Sequence, residues 1–249
     1  MPEIWQFGPF MIRFDWLLLA IAGLTGYAVM KYKLKKTAHD DKPVLDILTG
    51  GLLIAALVWK FSPVLFSPTI LLKNPFRALL MSGSSEGAWF GSLAGAVYIG
   101  FKSWRMYGFR WLLPDLLPYG IATMVTVYSL LSWQYGVPTN LPWGISIENP
   151  AFKYHPVNVY RIVVTVPLLI WLWKRKKEDL GSGQPFADFM SFYGIGLLLV
   201  SFFETKTEWI FGMSAEQLLY FVMVILGSIL SMFLKKKKQN PVDQGVDAA

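Results

Sequence analysis

Five polar residues stand where an apolar sequence has little room for them. Lys60 lies inside the apolar run that ends at Phe66. A basic side chain at bilayer depth costs about 2.5–3.5 kcal/mol on insertion scales and so marks a functional candidate, unless its long stem lets the ammonium snorkel to an interface. His155, Tyr160 and Arg161 enter a later apolar run together. A guanidinium there can hold a lipid phosphate in bidentate fashion or pair with an acidic neighbour, and a loop histidine can simply bond backbone. Asp15, near the start of the first apolar run, can pair with Arg13 or Lys60. The five are therefore candidates for holding a lipid headgroup, the cations through its phosphate, with ion pairing and snorkelling as the simpler roles for each.

Other chemistries find little support. There is no cysteine, which excludes disulfides, thiolate nucleophiles and iron–sulfur clusters on this chain. Two histidines without cysteine make no metal-ligand cluster, so no metal is expected. No glycine-rich phosphate loop and no Ser-His-Asp set can be placed, and no cofactor is expected. Asp46, Asp115 and Asp188 stand near helix starts, where capping is the simplest role. Glu204 and Lys206 read as solvated, and Trp133, Trp143, Trp171, Trp173 and Trp209 fit aromatic belts near span ends. Gly50-Gly51 and Gly91/Gly95 with Gly100 read as points of close helix contact.

These residues must be positioned by membrane helices. The chain has 249 residues, 54% of them hydrophobic and only 16% charged, with a mean hydropathy of +0.43. A soluble domain keeps roughly a quarter of its residues charged. Seven windows are long and apolar enough to cross a bilayer: 14–31, 44–66, 87–103, 112–133, 157–173, 186–204 and 215–234. Lipid cannot satisfy backbone hydrogen bonds, and the alternation of a β-barrel is absent, so the spans are expected to be helices. The predicted fold is all-α and polytopic, with residues 1–238 as a single transmembrane domain and 239–249 as a disordered cytoplasmic tail. Met1–Phe14 lacks the basic region and cleavage site of a signal peptide and reads as mature sequence.

The net charge of +7 suggests a nucleic-acid partner until the charges are located. Sixteen of the 23 basic residues fall on alternate linkers: Lys31, Lys33, Lys35, Lys36 and Lys42; Lys102, Arg105 and Arg110; Lys174 to Lys177 including Arg175; and Lys235 to Lys238. The positive-inside rule places these in the cytoplasm, with the N-terminus out and the C-terminus in. Residues 67–86 and 134–156 then form the two longer outside segments, and no nucleic acid is expected. The chain is expected to cross its membrane several times, with the basic linkers on the cytoplasmic side.

Several strings occur in a suggestive order. They are Phe7-Gly8-Pro9-Phe10-Met11-Ile12-Arg13-Phe14, Pro63-Val64-Leu65-Phe66 with Asn74-Pro75, and Gly87-Ala88-Trp89-Phe90-Gly91-Ser92-Leu93-Ala94-Gly95. Then come Asp115-Leu116-Leu117-Pro118, the run Tyr135 to Gly144 (YGVPTNLPWG), His155-Pro156-Val157-Asn158-Val159-Tyr160, Tyr193-Gly194 with Phe202-Phe203, and Ser214 with Gln217. Taken together they resemble the bacterial prolipoprotein diacylglyceryl transferase family over nearly the whole chain. That resemblance implies a membrane enzyme moving a diacylglyceryl group from phosphatidylglycerol to the lipobox cysteine of a prolipoprotein. Phosphatidylglycerol, with a prolipoprotein or another membrane protein, is the implied partner.

The chain departs from the family at the positions that carry the chemistry. The family histidine falls on Phe90, the span-4 arginine on Val125, its asparagines on Tyr128 and Leu131, and its glutamate on Trp133. The span-6 arginine falls on Leu197 and the following glutamate on Ser201, while Asp15 and Arg161 stand for a tyrosine and a glutamate. Lys60 stands where the family has an arginine. Valine supplies none of the five donors or the charge of a guanidinium. The leading expectation is a divergent member, a pseudoenzyme, that binds phospholipid or a lipoprotein-pathway partner with the family activity lost or altered. Two alternatives stand beside it: an active transferase with groups relocated to Lys60, Asp15, His155 or Arg161, and a transporter or assembly subunit that shares only membrane composition.

Overall fold

Apolar runs wind into helices because each turn satisfies its own backbone and leaves only side chains facing outward, and three of them here do so despite an internal proline, Pro63, Pro118 and Pro167. A computed structural model describes residues 4–7, 10–36, 42–69, 81, 83–106, 110–146, 151–207, 209–210 and 212–239. Among these, seven long helices form: α1 (Phe14–Lys35), α2 (Lys42–Phe66), α3 (Ser85–Trp104), α4 (Leu112–Leu131), α5 (Val157–Lys174), α6 (Gln184–Ser201) and α7 (Ala215–Gln239). Each coincides with one of the seven windows read from the sequence. By length and apolarity, Leu17–Lys35, Pro43–Phe66, Val157–Lys174 and Ala215–Gln239 are candidate membrane spans. The other three carry polar residues such as Ser92, Asp115 and Asp188, which dilute their hydropathy.

Local signals set several boundaries. Ser84 caps α3, its Oγ accepting the Gly87 amide at 3.0 Å. Ser214 and Gln217 form a reciprocal box at the start of α7: the Gln217 amide donates to Ser214 Oγ at 3.2 Å, and the Ser214 amide donates to Gln217 Oε1 at 3.1 Å. Pro185 occupies the first turn of α6. α7 continues past its apolar run through Lys235 to Lys238, because lysine is a good helix former and its charge complements the carboxyl-terminal dipole. Of the tail expected at 239–249, residues 240–249 lie outside the described residues, as does most of the arm at 67–86.

Two short antiparallel ribbons accompany the helices. β1 (Ile4–Phe7) pairs with β2 (Phe10–Arg13), and β3 (Tyr135–Pro138) pairs with β4 (Tyr154–Pro156).

The chain divides into two compact units, residues 38–113 and residues 1–37 with 114–249. In the first, α2 and α3 lie backbone to backbone. A Cβ added at Gly91 would sit 2.5 Å from the Ala55 carbonyl oxygen, and one at Gly95 would sit 2.7 Å from that of Gly51. The expected contact of Gly100 is not made; a Cβ there meets nothing within 4 Å. In the second unit the core lies between α4, α5 and α6, where Tyr119, Ala122, Leu172, Phe189, Tyr193 and Leu197 are buried together. The Tyr119 hydroxyl donates to the Leu172 carbonyl at 2.7 Å, so its one polar atom is satisfied inside that core.

Candidate functional site

The described parts of the 134–156 loop tie the Arg161 end of α5 to the end of α4 and to the residues that follow α6. The Val137 amide donates to the Phe203 carbonyl at 2.9 Å, the Val157 amide to the Gln134 carbonyl at 3.0 Å, and the Thr139 amide to the Lys153 carbonyl at 2.8 Å. Gly136 permits this approach: a Cβ there would sit 1.9 Å from the Phe203 oxygen.

On this platform three of the five sequence candidates meet. His155 Nδ1 lies 2.8 Å from the Tyr160 hydroxyl, which also accepts from Trp143 Nε1 at 2.9 Å. The Phe203 ring packs 4.8 Å from His155 and 5.3 Å from Tyr160. Next along α5, Arg161 donates from Nη1 to Gln134 Oε1 at 2.7 Å and from Nη2 to Glu204 Oε1 at 2.6 Å. Both members of the ion pair are about one quarter exposed. Glu204, expected to be solvated, is thus the partner of Arg161, and Trp143, expected only in a belt, orients Tyr160. The Arg161 Nε is buried without a partner among the described residues. Two of five donors are therefore committed, which leaves the guanidinium able to take a further acceptor.

Beside Arg161 opens a cavity of about 220 Å³, lined by Ser201, Glu204, Lys206, Ser214 and Glu216 among others. Ser201 Oγ accepts from the buried Gln217 Nε2 at 3.0 Å. Two cations face two carboxylates, so the lining is balanced in charge, and an anionic ligand would gain there only by competing with Glu204 for the guanidinium.

Lys60 belongs to the other unit and is described by itself. Its Nζ donates to the Met81 carbonyl at 2.8 Å, so the ammonium is turned to the loop that enters α3. The same loop is held by Ser62, whose Oγ accepts the Ser84 amide at 3.0 Å and donates to the Trp59 carbonyl at 2.8 Å. Close by, the Glu86 carboxyl falls below its ordinary range because its own backbone amide, then Ser84 and Ser85, hydrogen-bond to the charged form. Asp15 stands exposed in the first turn of α1.

Val125 packs against the core cluster that contains Leu197, so these two positions, where the sequence resemblance leads one to expect arginine, lie in one apolar cluster. Phe90 is exposed on α3, its ring 5.7 Å from that of Phe66. Trp133 is exposed after α4, and Tyr128 is half-buried.

At the opposite ends of the unit's helices, two expected caps take other forms. Asp115 is fully buried and caps not its own helix but the start of α6: Oδ2 accepts the amides of Gly181 and Gly183 at 2.8 Å each, and Oδ1 that of Phe186 at 3.1 Å. Asp188 pairs with Arg175 and accepts from Gln184 Nε2 and Ser231 Oγ, each at 2.7 Å. Its position one turn inside α6 puts it too far from the free amides to cap them.

The model of the prolipoprotein diacylglyceryl transferase family matches residues 2–233. The chain belongs to that family. A phosphatidylglycerol–prolipoprotein diacylglyceryl transferase of Finegoldia magna is 25% identical over 244 residues, covering 93% of this chain and 95% of its own. That of Clostridioides difficile is 22% identical, covering 92% and 93%, and one from Streptomyces coelicolor reaches 33% over 49% of this chain and 43% of its own. The resemblance is therefore one of the whole transferase scaffold and not of membrane composition alone. As a member of this transferase family the chain is a membrane protein built almost entirely of helices.

Proposed function

We propose that this family member holds an anionic phospholipid headgroup, phosphatidylglycerol in the first place, in the cavity beside Arg161 and does not transfer its diacylglyceryl group. The reading rests on Val125 and Leu197 sharing one apolar cluster. A guanidinium at either place would stabilise a departing glycerol phosphate; a hydrophobic core cannot. Losing one such electrostatic contact typically removes roughly 3–4 kcal/mol of transition-state stabilisation. Arg161 and Lys206 supply the remaining cations, with Lys60 as a second, separate candidate. The seven helices cross a bacterial cytoplasmic membrane as one domain, with the lysine-rich ends inside and Arg161 on the outer side.

The deciding experiment supplies purified protein with phosphatidylglycerol and a lipobox peptide, and follows the peptide mass. No gain of diacylglycerol is expected, together with retention of phosphatidylglycerol that falls in Arg161→Ala. Gain at a rate comparable with an intact transferase would overturn the reading.

The His155–Tyr160 hydrogen bond favours a second reading, an active transferase with relocated groups. Trp143 can only donate, so Tyr160 accepts from it. If the Tyr160 hydroxyl in turn donates to Nδ1, the only lone pair of a neutral His155 is occupied. If instead Nδ1 carries the proton, Nε2 is left basic and can deprotonate a thiol. His155→Gln separates the two: in an active enzyme it abolishes transfer, and in a lipid-binding relative it leaves headgroup retention within a fewfold of the starting protein.

A further inference from the structure

A second cavity, of about 390 Å³, lies at the far end of the same unit, between the turn before α6 and the end of α7. Lys235, Lys237 and Lys238 line it, with Asp179, Ser182 and Gln184 opposite. The polar groups of the turn are already spent. Ser182 Oγ donates to the Asp179 carbonyl at 2.6 Å, and Gln184 Nε2 serves Asp188 and Ser231 at 2.7 Å each. The free donors facing the cavity are thus three ammonium groups against a single carboxylate, an arrangement that selects an anion.

The surroundings specify what kind of anion. Leu226, Ile229 and Phe233 recur at helical spacing along α7 and are more than half exposed. Lys237 continues that stripe one turn beyond Phe233. A ligand seated on the lysines therefore has an apolar track leading away from its charged group. A free phosphate ester would use the lysines and leave the track bare; an anionic phospholipid uses both. We infer that the Lys235–Lys237–Lys238 cavity is a binding site for the phosphodiester headgroup of an anionic phospholipid, whose acyl chain lies along Leu226, Ile229 and Phe233. This site stands at the opposite helix ends from Arg161 and does not depend on the reading proposed for that cavity.

The test uses the full chain in nanodiscs of mixed phosphatidylglycerol and phosphatidylcholine, released for native mass spectrometry so that retained lipids are counted. Single Lys→Gln changes at 235, 237 and 238 keep enough basic charge for correct insertion. Each is expected to lower phosphatidylglycerol retention about fivefold, the scale set by one basic side chain at an acidic bilayer. Lys236→Gln removes the same charge from a residue that does not line the cavity, and a loss of less than twofold is expected. The same pattern must persist in an Arg161→Ala background, which removes any contribution of the other site. Equal losses at Lys236 and Lys237 would reduce the effect to unspecific surface charge and overturn the site. Displacement of the lipid by soluble glycerol phosphate as effectively as by short-chain phosphatidylglycerol would overturn its lipid character.

Discussion

The carboxylate of Asp115 reaches across 68 residues of sequence to accept the Gly183 amide at 2.8 Å. It thereby supplies, from α4, the cap that α6 lacks in its own sequence, since Gly183 has no side chain to offer. With Gly181 and Phe186 also bound to it, one buried carboxylate fixes where α6 begins.

Asp115→Ala removes the acceptor of three amides. Hydrogen bonds to a charged group are each worth about 1.5–3 kcal/mol, and their loss is only partly additive. The expected outcome is a loss of at least ~2 kcal/mol, read as a lowered thermal midpoint in detergent, with Asp115→Asn intermediate. An unchanged midpoint would mean that the cap is redundant.

A guanidinium introduced into the apolar cluster of α4, α5 and α6 should not bring transferase chemistry with it. Val125→Arg or Leu197→Arg places a guanidinium in an apolar cluster with no acid among the residues that form it. An uncompensated buried charge costs about 3–5 kcal/mol when a partner is missing. Both variants should show lower yield and stability with no diacylglyceryl transfer; a stable, active Leu197→Arg protein would contradict the role given to this cluster.

Gly91→Val should separate α2 from α3. The glycine stands against the Ala55 carbonyl, and overpacking of a tight contact costs about 1–3 kcal/mol. Cysteine pairs placed across the two helices, which cross-link in the parent, are expected to cross-link slowly in the variant. Parental rates would show that the helices can slide to accommodate the side chain.

Topology can be read with reporters. The basic linkers predict a cytoplasmic signal for a fusion after Lys238 and an extracytoplasmic one for an insertion near Ser84. Lys33 Nζ at the end of α1 stands 4.6 Å from the Tyr119 ring on α4 and 5.0 Å from the Trp173 ring at the end of α5, so the basic ends of α1 and α5 are neighbours. Both reporters on one side would defeat the seven-span reading.

The helices were legible because run length and charge at the ends are local properties. All seven windows contain a helix, with ends shifted by a few residues where Ser84, Pro185 or the lysines decide them. The grouping of His155, Tyr160 and Arg161 was legible too, being three side chains within one turn and its approach. Their partners were not. Glu204 lies 43 residues from Arg161 and Gln134 lies 27 away, and nothing local distinguishes them from solvated residues at span ends. Asp115 was read as a cap of its own helix because its sequence neighbourhood contains only that helix. The signal for the other lay in Gly181-Ser182-Gly183 ahead of Pro185, where the glycine at the cap position of α6 has no side chain to accept the free amides.

Ser231, which completes the hydrogen bonding of Asp188, sits near the end of the last helix. The knot joining α5, α6 and α7 therefore closes only once α7 has packed, because Ser231 follows Asp188 by 43 residues. Until then Arg175 and Gln184 alone shield the carboxylate. A chain stopped ahead of Ser231 would insert with Asp188 paired but one hydrogen bond short, and with nothing to tie α6 to its missing neighbour at that end.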